Sequence, residues 1–216
     1  MCEEFDLSSL EELAETIISS SREAVVSRIG QLPKGTFRYA MAVDGYDEPV
    51  ELVAKVTIHE DSVEVDLTGS SQASPRGINV PLAYTSAYCS FALASAIAPD
   101  VPNNAGSLEP YIITAPEGTV VNALFPSPVS SRHIIGQMMP DVVFGCLAQA
   151  IPDRVPAEGT SCVWNIVLRG KGNAATDAFS TTILTNGGTG ARPGRDGLSG
   201  TAYPSGLKGS PIETVE

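Results

Sequence analysis

The stretch Gly187-Gly188-Thr189-Gly190-Ala191-Arg192-Pro193-Gly194-Arg195-Asp196-Gly197 places five glycines, two arginines and one aspartate within eleven residues. Glycine lets a backbone turn with positive φ and approach a ligand closely, and arginine presents a planar fork to a carboxylate, phosphate or carbonyl oxygen. Arg192, Arg195 and Asp196 are therefore candidate catalytic residues, and Gly188 and Gly190 candidate substrate-binding positions. The segment is neither a G-x-G-x-x-G fingerprint nor a phosphate-binding P-loop, because no Lys-Ser/Thr follows it and no helical pattern opens after it. A tight structural loop in which Arg192 or Arg195 pairs with Asp196 fits the same residues.

Two further constellations carry polar side chains in suggestive order. Ser130-Ser131-Arg132-His133 leads into a helical pattern, with Asp141 following. A histidine at a helix start has its neutral form favoured by the dipole, which suits an electrophile or positioning role for His133, with Arg132 as a substrate contact. Local capping by His133 is the competing reading. Asp100-Val101-Pro102-Asn103-Asn104-Ala105-Gly106 sets adjacent asparagines before a glycine; Asn103 and Asn104 suit either loop scaffolding or recognition of a ligand amide. The other histidine, His59, falls in a turn and is expected to face solvent. No H-x-H, H-E-x-x-H or G-x-S-x-G motif is present, so the chain by itself offers no metal site and no triad.

The elements that must position these groups follow from periodicity. Ser8 and Ser9 each precede a Glu by three residues, and Leu10, Leu13, Ala14, Ile17, Ile18, Ala24, Val25 and Ile29 then mark one helical face that Gly30 and Pro33 end. Three alternating runs, Thr36 to Val43, Val50 to Ile58 and Ser62 to Leu67, predict an antiparallel meander. Pro81 to Ile97 is small or apolar almost all round and reads as a helix buried on most sides. A second such helix is expected over Arg132 to Ala150, where Pro140 should kink it or delay its regular part to Asp141. Tyr111 to Thr114, Thr119 to Asn122, Ser161 to Leu168 and Ala178 to Thr185 read as short strands. From Asn186 onward ordered loops are expected, anchored by Leu198, Tyr203, Leu207 and Ile212. The fold class is α+β, with a helix-plus-meander subdomain over 1–75 and a core over 76–216.

Composition narrows the function classes. Thirteen Lys and Arg against 25 Asp and Glu give a net charge of −12 over 216 residues, so the field of the molecule repels phosphate backbones and nucleic acid is excluded as an expected partner. A charged fraction of 18% is low for a soluble domain, which points to surface covered by a partner or by further chain. No apolar run reaches the length of a membrane span and the first residues lack the basic flank of a signal peptide, so a cytoplasmic location is expected. Cys2, Cys89, Cys146 and Cys162 show no zinc-ligand spacing and read as small buried hydrophobes.

Six segments taken together carry a family resemblance. Asp66-Leu67-Thr68-Gly69-Ser70-Ser71, Gly77-Ile78-Asn79-Val80-Pro81-Leu82-Ala83-Tyr84, Pro102-Asn103-Asn104-Ala105-Gly106, Ala115-Pro116-Glu117-Gly118, Ala148 through Ala157, and Gly187 through Gly197 stand in the order seen in hydantoinase B/oxoprolinase proteins, which this chain resembles. Phe125 through His133 is similar to one branch of that family; other branches carry a Gly-Gly-Asn type segment there. The resemblance implies a component of an ATP-dependent cyclic-amide hydrolase working with a hydantoinase A-like ATP-binding subunit. Relatives also include ketone carboxylases, and a non-catalytic or truncated fragment is the third reading. The family's metal-binding His and Asp motifs have no counterpart here. No cofactor is therefore expected in this chain, and a divalent metal and ATP are expected on a partner, with a second polypeptide carrying the family's N-terminal half.

Overall fold

The computed structural model describes residues 9–160, 163–173 and 177–200. They fall into two compact units, 1–155 and 156–216. The boundary expected at 75/76 lies inside the first unit.

Unit 1 begins with α1, Leu10–Gly30, whose N-cap Ser9 accepts a hydrogen bond from the Glu11 N–H at 2.9 Å. The apolar stripe is covered only in its second half, where Ser21, Val25 and Ile29 are buried. The meander follows as β1 (Gly35–Val43), β2 (Val50–Ile58) and β3 (Val63–Asp66), each antiparallel to its neighbour. After α2 (Leu82–Ile97) and the single turn α3 (Ala105–Leu108), β4 (Tyr111–Thr114) joins the far edge of the sheet parallel to β3. The order β1-β2-β3-β4 is thus a mixed sheet, its parallel pair connected by a helical crossover as parallel strands require.

β3 pairs with only the last four residues of β2, which leaves Glu51 and Val53 without a strand on that side. The Thr68–Ser71 loop supplies what is missing. Val53 N–H donates to Ser70 Oγ (3.1 Å), Glu51 N–H to Ser71 Oγ (2.9 Å), and Ser71 N–H to the Glu51 carbonyl (2.9 Å). Serine hydroxyls stand in for a strand edge, and Gly69 turns the loop with φ +104.

The expected second helix is observed as two pieces, α4 (His133–Gly136) and α5 (Met139–Leu147), separated at Gln137–Met138. Pro140 lies in the first turn of α5, where its missing N–H has no helical acceptor to lose, so the helix restarts rather than kinks. α5 packs on β1 and β2 and against α2. Gly145 makes this packing possible, since a Cβ there would stand 2.2 Å from the Tyr39 ring. α2 buries Thr85, Cys89, Ala92, Leu93, Ala96 and Ile97, while Ala83, Ala87, Phe91 and Ser95 are exposed or half-buried. It is open along one face, although its composition reads as apolar all round. Cys89 and Cys146 are buried free thiols, pushed up by burial to about 12 and about 11 respectively. They are the small hydrophobes expected; Cys2 and Cys162 lie outside the described residues.

The strand expected over Thr119 to Asn122 is a turn. Thr119 makes isolated bridges to Gln72 and Asn122, and its hydroxyl donates to the Pro116 carbonyl at 2.8 Å. Side chains that satisfy nearby carbonyls favour turn over ladder here.

Unit 2 contains the antiparallel pair β5 (Val163–Gly170) and β6 (Phe179–Asn186), and a bridged loop over 187–198. Leu198 is 48% exposed rather than buried as an anchor. Tyr203, Leu207 and Ile212 lie outside the described residues.

Candidate functional site

In unit 1 the polar interest centres on the junction of the 74–79 loop with the segment entering α4. Asn79 is fully buried and every hydrogen bond its amide makes holds backbone. Oδ1 accepts from Ser74 N–H (2.7 Å), and Nδ2 donates to the carbonyls of Ser74 (2.8 Å), Arg76 (3.0 Å) and Pro128 (2.9 Å). Ser131 N–H donates to the Gly77 carbonyl at 2.7 Å, so the two loops are clasped. Arg132 and His133 stand at this clasp. Arg132 is exposed, with Nη1 3.4 Å from the Val129 carbonyl, and His133 is half-buried. α4 has only four residues, so the dipole argument for a neutral His133 loses most of its basis.

His133, Gln137 and Asp141 recur at intervals of four in the sequence, across the break between α4 and α5. Gln137 is 4% and Asp141 3% exposed, and the Gln137 Oε1 has no hydrogen-bond partner. A buried amide oxygen left without a partner is costly. Gln137 was not a sequence candidate; the spacing His133-x3-Gln137-x3-Asp141 was the available signal. Across from it, Gly136 lies under the Tyr84 ring, where a Cβ would stand 2.2 Å from the ring edge. Tyr84 and Tyr88 stack at 4.7 Å, and burial, then the Tyr88 hydrogen bond, push the Tyr84 phenol up. A second feature missed in the sequence is a cleft of about 400 Å³ lined by Tyr46, Asp47, Glu48 and the 71–75 loop, beside which Arg76 lies 5.6 Å over the Tyr46 ring.

The paired asparagines do not join His133. Asn104 caps α3: its Oδ1 accepts from Gly106 and Ser107 N–H, and its Nδ2 donates to Ser21 Oγ at 2.8 Å, pinning α3 to α1. Scaffolding is the reading that holds for Asn104. Asn103 is exposed and lines a shallow depression with Phe91, Ala94 and Ala98. That depression lies toward the C-terminal end of α2, whereas Tyr84 and α4 meet at its N-terminal end. α2 has 16 residues and is about 24 Å long, so unit 1 does not bring these candidates into one pocket.

The remaining candidates lie in unit 2. Arg192 N–H donates to the Arg195 carbonyl and Arg195 N–H to the Arg192 carbonyl, both at 2.9 Å, around a Pro193-Gly194 turn with Gly194 at φ +68. Proline at the first and a positive-φ glycine at the second central position define a type II turn. Directly paired residues of an antiparallel bridge project to the same side, so the two guanidinium groups emerge together. Asp196 is next in sequence and exposed. Among the described residues no carboxylate pairs with Arg192 or Arg195, so the proposed Arg–Asp196 pairing is not formed. The glycines admit neighbouring backbone: a Cβ on Gly188 would meet the Leu198 carbonyl at 2.6 Å, and one on Gly190 the Ala157 carbonyl at 1.9 Å. Thr160 N–H and Oγ1 both donate to the Gly188 carbonyl, which fixes the loop to its own unit.

Among the described residues no three of His, Cys, Asp and Glu cluster to hold a metal ion. No described helix is long and apolar enough to cross a membrane.

A mixed sheet covered by α2 and α5, with a separate Gly-Arg hairpin unit, is a fold shared with known enzymes. The ATP-dependent caprolactamase from Pseudomonas jessenii superposes with a TM-score of 0.77 over 92% of this chain and 36% of its own, at 20% identity. Acetone carboxylase in its nucleotide-free form superposes at 0.75 over 89% of this chain and 29% of its own, at 17% identity. The family model for hydantoinase B/oxoprolinase matches residues 1–216, and the chain belongs to that family. A protein of Pseudomonas sp. (strain NS671) assigned as the B component of a D-/L-hydantoinase is 30% identical over 99% of this chain and 38% of its own length. The 5-oxoprolinase of Dictyostelium discoideum is 26% identical over 82% of this chain and 13% of its own length. The chain thus spans well under half the length of these relatives.

Proposed function

We propose that this chain is part of an ATP-dependent cyclic-amide hydrolase that acts with a hydantoinase A-like ATP-binding subunit. The observation that supports it most is the relation, along 99% of this chain, to the B component of a D-/L-hydantoinase. In this reading ATP and a divalent metal are held outside these residues. Arg192 and Arg195, side by side at their turn, hold an anionic group of the activated substrate. Within unit 1 His133 is the polarising or positioning candidate, with Arg132 and Asn103 as peripheral contacts, and Asp196 is the further catalytic candidate of unit 2.

The test is reconstitution of the host's hydantoinase A-like partner with the B-type protein that contains this chain. 5-Oxoproline, hydantoin and caprolactam are offered with ATP, and acetone with bicarbonate in parallel. ATP-coupled ring opening that disappears when this chain is omitted is the expected result. Carboxylation of the ketone alone would transfer the chain to the carboxylase branch, and turnover indifferent to its omission would overturn any enzymatic role. Within an active complex, His133→Gln is expected to lower kcat with a smaller change in KM, because a polarising group acts most strongly in the transition state.

A further inference from the structure

We infer that Arg192 and Arg195 together form a site for one dianionic phosphoryl group, carried on a small molecule rather than on a nucleotide. The inference rests on the anion-holding role proposed above for this hairpin, and it names the anion. Charge is divided unevenly along the chain. Residues 156–216 hold five of the 13 Lys and Arg and five of the 25 Asp and Glu, so the net charge of −12 is carried entirely by residues 1–155. Unit 2 is therefore the part of this sequence whose own field does not turn an anion away. Within it the two arginines occupy a doubly hydrogen-bonded antiparallel pair, whose Cα atoms stand about 5.5 Å apart and whose side chains leave on the same side.

The backbone beneath the pair is fixed before any ligand arrives. Ala157 N–H donates to the Ala191 carbonyl and Thr189 N–H to the Leu198 carbonyl, both at 2.8 Å, while Gly190 and Gly197 lie too close to the carbonyls of Ala157 and Thr189 to accept a Cβ. Two like charges held in place this way repel, and a bound anion relieves the repulsion. Charge selects which anion. A carboxylate carries one charge and fills one guanidinium fork bidentately, which leaves the second fork unneutralised. A phosphoryl group carries close to two charges at neutral pH on three acceptor oxygens, enough for both forks. The backbone argues against a polyphosphate. Nucleotide sites cradle their phosphates with free N–H groups, and here those of Gly188, Thr189, Arg192 and Arg195 are all donated within the unit.

The experiment titrates the purified B-type protein that contains this chain with inorganic phosphate, glycerol 3-phosphate, acetate and ATP, read by calorimetry. Both small phosphates are expected to bind about tenfold or more above acetate, and Arg192→Ala and Arg195→Ala each to weaken them by about tenfold or more. Arg192→Lys keeps the charge and is expected to recover little of that loss. Arg169→Ala removes the same charge from an exposed position of β5 and is expected to change phosphate affinity by less than about twofold. Affinity for glycerol 3-phosphate should fall below about pH 6, where its phosphoryl group takes up a second proton. No phosphate binding, phosphate binding indifferent to both arginines, acetate bound as tightly as phosphate, or ATP bound more tightly than glycerol 3-phosphate through these arginines overturns the inference. Phosphate held by the arginines in a protein whose complex opens no cyclic amide leaves this site standing and removes the hydrolase reading. Ring opening that needs Arg192 in a protein that binds no phosphate does the reverse.

Discussion

The polar residues of the family segments are used in opposite ways by the two units. In unit 1 they hold backbone: Ser70 and Ser71 complete β2, Asn79 ties three carbonyls and one N–H, and Asn104 caps α3 while gripping Ser21. In unit 2 the backbone of the Gly-Arg hairpin closes on itself through main-chain bonds and Thr160, and the charged side chains of Arg192, Arg195 and Asp196 are left exposed. Motif residues can therefore mark either a fold being built or a ligand being met, and the hydrogen-bond inventory separates the two. Two arginines held opposite one another repel unless an anion lies between them, whereas a buried amide with four bonds asks for nothing more.

The contrast breaks most visibly at Asn79. Asn79→Ala removes four hydrogen bonds and leaves Ser74 N–H and three carbonyls to find water in a part-buried loop. The expected loss is about 3 kcal/mol, read as a lower urea midpoint for the transition of unit 1. A change within the range of an ordinary surface substitution would mean that the clasp between the 74–79 and 124–132 loops is ornamental, and that the scaffold side of the contrast is wrong.

The opposite behaviour is expected of the arginines. Arg192→Ala and Arg195→Ala should leave the stability read by urea titration within about 0.5 kcal/mol of the parent, since neither guanidinium pairs with a described carboxylate. In the reconstituted complex each should lower turnover by about a hundredfold, the usual effect of removing one preorganised donor. Arg192→Lys separates geometry from charge: a paired fork recognising an oxyanion is poorly replaced by an ammonium, so the lysine variant should recover little. Loss of stability with unchanged turnover would make the hairpin a second scaffold.

How much of this was legible in the sequence follows the same division. Periodicity located α1, the meander, α2 and β4 because burial on one face of the sheet and of the helices imposes periods of 2 and 3.6. It did not show that β4 adds to the meander in parallel, since pairing partners are set by the crossover through α2 and not by any local pattern. The break at Gln137–Met138 was half visible: Pro140 signalled an interruption, but the first turn of a new helix tolerates proline, so the helix resumes at Met139 rather than Asp141. Thr119 to Asn122 misled because Thr and Val suit strands, while the Thr119 hydroxyl bonded to Pro116 closes a turn. Among site residues the Gly-Arg segment was legible as a special backbone, but which atoms its glycines admit was not. They admit the carbonyls of Ala157 and Leu198. The buried Gln137 went unweighted, and the depth of Asp141 unseen, because a polar residue in an apolar run announces nothing about depth until the packing is known.

The smallest expected effect sharpens the boundary between holding backbone and carrying charge, because Asp66 does both. Its Oδ1 accepts from Thr68 N–H at 2.9 Å, shaping the loop that feeds Ser70 and Ser71 to β2, and its Oδ2 lies 2.7 Å from Lys55 Nζ on the neighbouring strand. The hydrogen bond from Lys55, followed by those from Thr68, holds the carboxyl down at about 2 against an ordinary value of 3.8. A depressed folded-state value means that the ionised form stabilises the fold. The contribution is complete above pH 3.8 and fades as the pH falls toward 2. Lys55 is half in solvent, so screening keeps the effect small, and Asp66→Asn should lower the thermal midpoint at pH 7 by no more than about 2 °C. The diagnostic is the pH course. The difference between parent and variant should hold level above about pH 5 and shrink steadily as the pH approaches about 2. A difference that stays constant down to about pH 2 would show that Asp66 acts through the shape of the Thr68 turn alone, and that its charge adds nothing to the scaffold.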